Sequence, residues 1–395
     1  MNVRLATIGD YVEPVSTWNP SSRPHERFVY VNLSAISQSE KKIISGASIA
    51  GSEAPSRARQ LIRIGDILVS TVRPNLNGVA AVIDDFDGAT ASTGFCVLRP
   101  RPDKLSSRYL MHWVRSPQFI EQMTRQATGA SYPAVTDRIV KSSPIPLPSF
   151  DEQRRIAAIL DKADALRCKR RRSIELLNCL AQAIFTNMFS RSASMLTISD
   201  LLQRRWLLVH KDGNHGSNYP RADEFGETGI PFLSAQSVRD DGAIDCSQIQ
   251  YLNESKARRL KVGWIVGGDV LLAHNASVGK VGLYDGQFEK ALIGTSLTCF
   301  RTDADKLLPE YLVGVLRSEA FQDQLTKSMG QTTRNQVPIT AQRGLTVCVP
   351  PMDQQREYCT IVASQKQSSD TIQRSLLYLE SLFSSLQSRA FSGQL

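Results

Sequence analysis

The chain writes the same sentence twice. "FDEQRRI" at 150–156 returns as "MDQQREY" at 352–358, each after a proline-marked step, "PIPLPS" and then "VCVPP". The offset of 202 residues recurs at Tyr109 and Tyr311 ("RYL", "EYL"), at Arg115 and Arg317 ("RSPQF", "RSEAF"), at "DKL" (103–105, 305–307) and at "FS" (189–190, 391–392). "GD" at 65–66 returns at 268–269, offset by 203. A fixed period decides architecture before any local reading does. Twice 202 is close to the whole length of 395 residues, so the chain is two copies of one unit, more alike at their ends than at their beginnings.

Each copy reads in two parts. The first mixes strands and helices. "LIRIGDILVSTV" (61–72) and "VGGDVLLAHN" (266–275) have strand character around a Gly-Asp turn. Short apolar strands follow at 78–83 and 280–284, then at 94–100 and 297–302. A helix is expected over 106–126 and again over 309–329, its apolar positions forming a core face. The second part is one long helix per copy, with no Pro or Gly inside 151–190 or 352–392. Ser149 and Glu152 fit a capping box at the first start, and Gly393 suits a stop. Apolar residues recur at Ile156, Ile159, Ala163 and Leu166, then at Ile174, Leu177, Ala181, Ile184 and Met188. In the second copy they fall at Ile372, Leu376, Leu379, Phe383 and Leu386. Steps of three and four make a coiled-coil-like seam. A helix of about 40 residues is about 60 Å long and needs a partner for so narrow a seam. That partner is the other copy's helix, antiparallel, or each helix's own α/β part.

The expected fold is therefore α/β (α+β). Two similar mixed domains, 1–150 and 193–350, are joined and flanked by two long antiparallel coiled-coil helices, 151–192 and 351–395, in a pseudo-two-fold internal repeat. Two places break the pattern. Polar Gln365, Ser368 and Ser369 stand where the second seam should continue, and "RCKRRR" (167–172) interrupts the first.

Charge and cysteine usage narrow the function. The formal net charge is +9. Residues 1–150 carry 17 basic and 12 acidic side chains, and 151–190 carry 8 and 5, so most of the excess lies in the first half. A basic balance suits a polyanion, though many basic proteins bind none. Seven scattered cysteines without a CxxC argue for reduced thiols and a cytoplasmic protein. The start "MNVRLATIGDY" has no signal-peptide core, and no stretch reaches the ~20 apolar residues of a membrane span.

No catalytic pattern emerges. "HNASVGKV" has His274 where a phosphate-binding loop needs its first Gly, and Val281 after Lys280. No Asn/Asp-Pro-Pro-Tyr/Phe stretch of an amino-methyltransferase occurs, and the five histidines have no metal-ligand spacing. Catalytic and metal residues are accordingly expected to be none.

A duplicated head on a long spacer suits double-stranded DNA, whose grooves repeat every ~34 Å. The chain resembles the DNA-specificity (S) subunits of type I restriction–modification systems. In copy one the resemblance rests on "IRIGDILVSTVRPNLNGVAAVI", "TGASYPAVT" and "PIPLPSFDEQRRIAAILDKAD". In copy two it rests on "GGDVLLAHNASVGKVGLYD", "GQTTRNQVPIT" and "VPPMDQQREYCTIV". It spans nearly the whole chain. It implies two target-recognition domains, each reading half of a bipartite sequence, and helices that set the gap and dock two modification (methyltransferase) subunits. Restriction/translocase subunits would join them. S-adenosylmethionine, ATP and Mg would serve those partners, with no cofactor in this chain.

Base readout needs forked side chains on loops that can enter a groove. Copy one offers Arg73, Asn75 and Asn77 in "TVRPNLNG", and Ser131 and Tyr132 in "TGASYPAVT". The asparagines could equally serve only a hairpin turn. Copy two offers His274, Asn275, Ser277 and Lys280, and the polar run Thr332, Thr333, Arg334, Asn335 and Gln336. His215, Asn218 and Tyr219 lie in "HKDGNHGSNYPR", which is otherwise an ordinary polar loop. Phosphate contacts would fall to Arg57, Arg59, Arg63, Arg258, Arg259 and Lys261. Lys169, Arg170, Arg171 and Arg172 form either a solvated face or a phosphate track. A protein–protein scaffold without base readout is the competing reading.

Overall fold

The computed structural model describes residues 4–189, 194–216, 219–329 and 335–395. The chain divides into two compact units, 1–172 with 372–395 and 173–371. The division cuts both long helices, Phe150–Phe189 and Met352–Phe391, so each helix gives one half to each unit.

In the first unit, strands Val12–Glu13, Phe95–Pro100, Ile67–Ser70 and Val79–Ala81 form one antiparallel sheet. Ala47–Ala50, Arg27–Val31, Thr90–Ser92 and Ala58–Leu61 form a second, with one parallel pair in its middle. The run Ile67-Leu68-Val69 is buried on both faces because it serves two cores. Ile67 and Val69 face the helices, while Leu68 faces the core against the second sheet. This is the period-2 alternation of a strand. The second unit repeats the device: Val270 and Leu272 join the helical core, Leu271 and Ala273 the other.

The Gly-Asp turns are alike to the atom. Gly65 and Gly268 sit at φ of +85° and +89°, which favours glycine. Asp66 takes a bidentate grip from Arg99 (2.8 and 2.7 Å), and Asp269 takes the same grip from Arg301 (2.7 and 2.7 Å).

The expected helix at 106–126 is two helices, Ser107–Val114 and Pro117–Gln126. Pro117 disfavours helix at Ser116, whose hydroxyl instead caps the second helix by accepting from the Phe119 N–H. The second unit breaks likewise between Arg317 and Glu319, where Ser318 accepts from Phe321 without a proline.

The repeated motif "FDEQRRI"/"MDQQREY" is more than a helix start. Glu152 N–H reaches Ser149 at 3.3 Å, but the Glu152 carboxylate turns to Arg155, so only half of the capping box forms. The fixed point is the glutamine. Gln153 Oε1 accepts from the Ser106 N–H, and its Nε2 donates to the carbonyls of Lys104 and Pro148. Gln355 does the same with Leu308, Lys306 and Pro350. Both side chains are 1% exposed.

Both expected partners of the helices are present. In the first unit Ile156, Ala157, Leu160 and Ala163 join the core of the α/β part, together with Phe383, Ala390 and Phe391 from the end of the second helix. Arg155 donates to the Leu395 carbonyl while Arg167 pairs with Glu380, so these halves run antiparallel. In the second unit Phe185 and Phe189 pack on Tyr311 and Tyr358, and Gln365 donates to the Leu177 carbonyl. Phe391 against Tyr109 (5.5 Å) and Phe189 against Tyr311 (5.3 Å) are equivalent contacts.

Three seam positions need comment. Leu166 is a correction: it is 49% exposed, and Arg167 takes the inner place. Ile159 is half-buried, while Leu160 is fully buried. Ile184 is half-buried beside the buried Phe185. The inner stripe is shifted because the helix packs against two surfaces at once. Ile174, Leu177, Ile372, Leu379 and Leu386 are half-buried, and Leu376 and Phe383 are buried.

Candidate nucleic-acid interface

The Gly-Asp turn and its arginine lie at one end of strand Ile67–Ser70. At the other end the chain turns through 71–77 and meets two further segments. Thr71 N–H donates to the Gly94 carbonyl, Val135 N–H to the Thr71 carbonyl, and Arg73 N–H to the Pro133 carbonyl at 2.7 Å. Arg73 and Asn77 both take left-handed backbone, at φ of 51° and 47°, which lets the loop fold back over a single turn of 3-10 helix. The two sequence-predicted loops of copy one are thereby tied together. The Arg73 guanidinium lies over the Tyr132 ring, 4.5 Å from its centre. Arg73, Asn75, Ser131 and Tyr132 are all exposed. Arg57 reaches the same edge, since its carbonyl accepts from the Thr93 N–H.

Asn77 is a correction. It is buried, donates its amide to the Val114 carbonyl at 2.8 Å, and takes Lys41 Nζ on its own carbonyl at 2.6 Å. It fastens the loop to the helix behind and presents nothing outward. Burial and the neighbouring Arg115 push the Lys41 ammonium down to about 8.

The second unit ties the same segments. Val337 N–H donates to the His274 carbonyl at 2.9 Å, and Asn275 pairs with Gln336. Asn335 is exposed; Asn275, Ser277 and Gln336 are half-buried. Lys280 is held by Asp240 at 2.9 Å. Thr332, Thr333, Arg334 and Asn218 lie outside the described residues. His274 is the second correction. It is 5% exposed and bonded through Nδ1 to Thr298. Thr298 also accepts from Gln342, whose Oε1 meets His210 Nε2 at 3.2 Å. This buried polar chain supports the turn from beneath. Burial pushes the His274 imidazole down, and pushes His210 down to about 4.

His215 and Tyr219 are exposed, and His215 is bonded to Asp212 at 2.6 Å. Both Asp212 and His215 act on His274 through space, which sets this turn beside 274–280. Asn214 donates to the Val262 carbonyl, bringing the exposed Lys261 to the same region.

The phosphate candidates divide. Arg63 is exposed but lies at the Gly-Asp end of the strand, away from Arg73. Arg59 is half-buried and bonded to Asn19. Arg258 is exposed and pairs with Glu254; Arg259 is exposed. In the basic run, Arg167 bridges Asp164 and Glu380 and lies over the Phe383 ring at 4.1 Å. Arg171 also pairs with Glu380, so it ties the two helices together. Lys169, Arg170 and Arg172 are exposed. Thr93 was not anticipated: it is exposed between Arg57 and Thr71, but a lone threonine carries no sequence signal. Among the described residues no acidic, His or Cys cluster could hold a metal, and no helix is long and apolar enough to cross a membrane.

Residues 29–178 match the family model described as Type I restriction modification DNA specificity domain. The specificity subunit of the type I restriction enzyme MjaVIII of Methanocaldococcus jannaschii is 24% identical over 58% of this chain. The match spans 57% of that subunit, less than two thirds of its length. The EcoBI specificity subunit of Escherichia coli is 19% identical across 94% of this chain and 87% of its own. A chain from a solved structure on complex assembly and conformational transition of the type I R-M system superposes with a TM-score of 0.60 and 25% identity. It covers 99% of this chain and 98% of itself.

Proposed function

We propose, from the premise that this chain belongs to the DNA-specificity subunits of type I restriction–modification systems, that each unit reads one half of a bipartite double-stranded DNA target. One observation carries the reading. Each unit ties its first turn to its second loop by the same backbone pairing, at 71–77 with 133–135 and at 274–275 with 336–337. The side chains gathered on that frame differ. A shared frame with different forks is what two unlike half-sites require.

In the first unit Arg73 is the base reader. A guanidinium can donate two bonds to guanine N7 and O6, worth about 1–3 kcal/mol of discrimination. Stacking on Tyr132 holds its plane and leaves less freedom to lose on binding. Asn75 beside it can serve adenine, and Arg57 the backbone. The long helices set the gap between half-sites and dock two modification subunits. Methyl transfer from S-adenosylmethionine belongs to those subunits, and ATP- and Mg-dependent translocation and cleavage to restriction subunits. This chain contributes binding and spacing.

Methylome sequencing of cells with and without the gene tests the reading. A bipartite adenine-methylation motif should vanish on deletion. An unchanged set of motifs would leave the scaffold reading in its place.

A further inference from the structure

The two copies differ sharply where the α/β part meets its long helix. In the first unit this space is filled with charge. His112 pairs with Asp161 at 2.8 Å, Arg115 with Asp164 at 2.8 Å, and Arg108 also reaches Asp161. Moving each residue by the repeat offset of 202 gives the second unit. His112 becomes Gly314, Asp161 becomes Ala363, and Asp164 becomes Lys366. Arg115 becomes Arg317, still an arginine. Arg108 becomes Glu310, at the border of the groove. Both acids of the long helix and the imidazole are gone, and the arginine remains.

An open groove of about 1280 Å³ lies there. Arg317 is on its wall, half-buried beneath the turn at 239–243. A Cβ on Gly242, which sits at φ of +81°, would collide with the guanidinium. Arg317 donates to the Val281 carbonyl at 2.8 Å. Among the described residues no carboxylate lies within ion-pair reach of it. Asp241, which acts on it through space, is held by Arg239 at 2.8 Å. Burial lowers the guanidinium's affinity for its proton, the mark of a cation short of a counter-charge.

We infer that this groove of the second unit receives an apolar segment of a partner protein that carries one carboxylate, which pairs with Arg317. Three features fix the chemistry. The first unit shows the same arginine, on an equivalent helix, holding a carboxylate. Val238, Val281, Val313, Phe185 and Val362 supply apolar walls for the flanking side chains. Of the acids bordering the groove, Asp240 is held by Lys280 and Asp241 by Arg239, so neither neutralises Arg317. The volume exceeds the several hundred Å³ typical of a small-molecule site and suits a peptide segment. The first unit has filled the same place with its own acids.

The inference rests on the reading of this chain as one subunit of an assembly, so the test uses the full chain and a purified modification subunit. Affinity would be measured by biolayer interferometry for wild type, Arg317→Gln and Lys366→Asp, alongside thermal melting of each chain. Arg317→Gln should weaken binding by about tenfold or more, the usual effect of removing one member of a desolvated charge pair. Lys366→Asp writes the first unit's carboxylate back in. It should raise the melting temperature and also weaken binding by about tenfold, since the groove's arginine is then occupied. A loss of affinity with gained stability is not what a damaged fold gives. Equal affinity of all three chains would overturn the groove inference and leave the assembly reading standing. No binding by the wild-type chain would overturn the assembly reading, and the groove inference with it.

Discussion

The glutamine joint permits a sharp test. In the second unit Gln355 accepts from the Leu308 N–H at 3.0 Å and donates to the carbonyls of Pro350 (2.9 Å) and Lys306 (3.4 Å), with 1% of its surface exposed. Leu308 is the cap residue of helix Pro309–Arg317, so one side chain fastens that helix to the start of the long one. Gln355→Leu keeps the size and removes three bonds. Each is worth about 1 kcal/mol net, and a stranded buried N–H adds about 1–3 kcal/mol, so a loss of about 4–6 kcal/mol is expected. At about 2–4 °C per kcal/mol for a unit of this size, melting should fall by about 8–24 °C. Gln355→Glu keeps the acceptor for Leu308 but turns an anion toward two carbonyls. It should be at least as damaging at neutral pH and recover as acid protonates it. Gln153→Leu should act equally on the first unit, where the three distances are 2.9, 3.2 and 3.1 Å. Differential scanning calorimetry of the full chain reads all three. A fall under about 2 °C for Gln355→Leu would refute the reasoning, because three buried bonds cannot be worth under 1 kcal/mol together.

Three further outcomes are expected. Arg73→Ala should relax one half-site with a loss of about 1–3 kcal/mol, read by binding to a library of half-site variants; a uniform loss across sequences would make it a phosphate contact. Arg167→Ala should lower thermal stability by about 1–2 kcal/mol through the lost stacking on Phe383 and the lost bridge between Asp164 and Glu380, which keep Arg115 and Arg171 as partners, whereas Arg170→Ala should leave stability unchanged and flatten the salt slope of DNA binding if it touches phosphate. His210 is held neutral, down to about 4 against 6.5 for the free side chain, so the unfolded chain takes up the proton first as pH falls. Stability is then full above pH 6.5 and falls by on the order of 3 kcal/mol as pH drops to 4, a slope that urea titrations should find reduced in His210→Gln.

The sequence carried the large features plainly. The period of 202, the two long helices and the strands around each Gly-Asp turn are written in spacing and residue type, which local rules decode. The finer placements depend on what lies across from a residue. Leu166 fits a seam by spacing, yet the helix packs against both an α/β part and another helix, and Arg167 satisfies both with one side chain. Asn77 and His274 have the chemistry of base readers but turn inward, because Val114 and Thr298 offer partners brought there only by folding. Gln153 and Gln355 were visible in the repeated motif, but a glutamine near a helix start is usually on the surface, and only the fold surrounds it with three backbone groups. The pairing of Arg73 with Tyr132 joins residues 59 positions apart, beyond any local pattern.

The exchange of helix ends has a consequence for how the protein is made. Phe383, Ala390 and Phe391 belong to the core around Tyr109 and Trp113, so a part made early is completed by residues made much later. Its closure spans almost the entire chain, and such distant contacts slow folding. A nascent chain halted before residue 383 would leave Tyr109, Trp113 and Leu160 without their cover. A frameshift or early stop before residue 383 should therefore expose the core around Tyr109 to aggregation and proteolysis. Synthesis would then check itself: the first unit becomes stable only after residues 383–391 have been made.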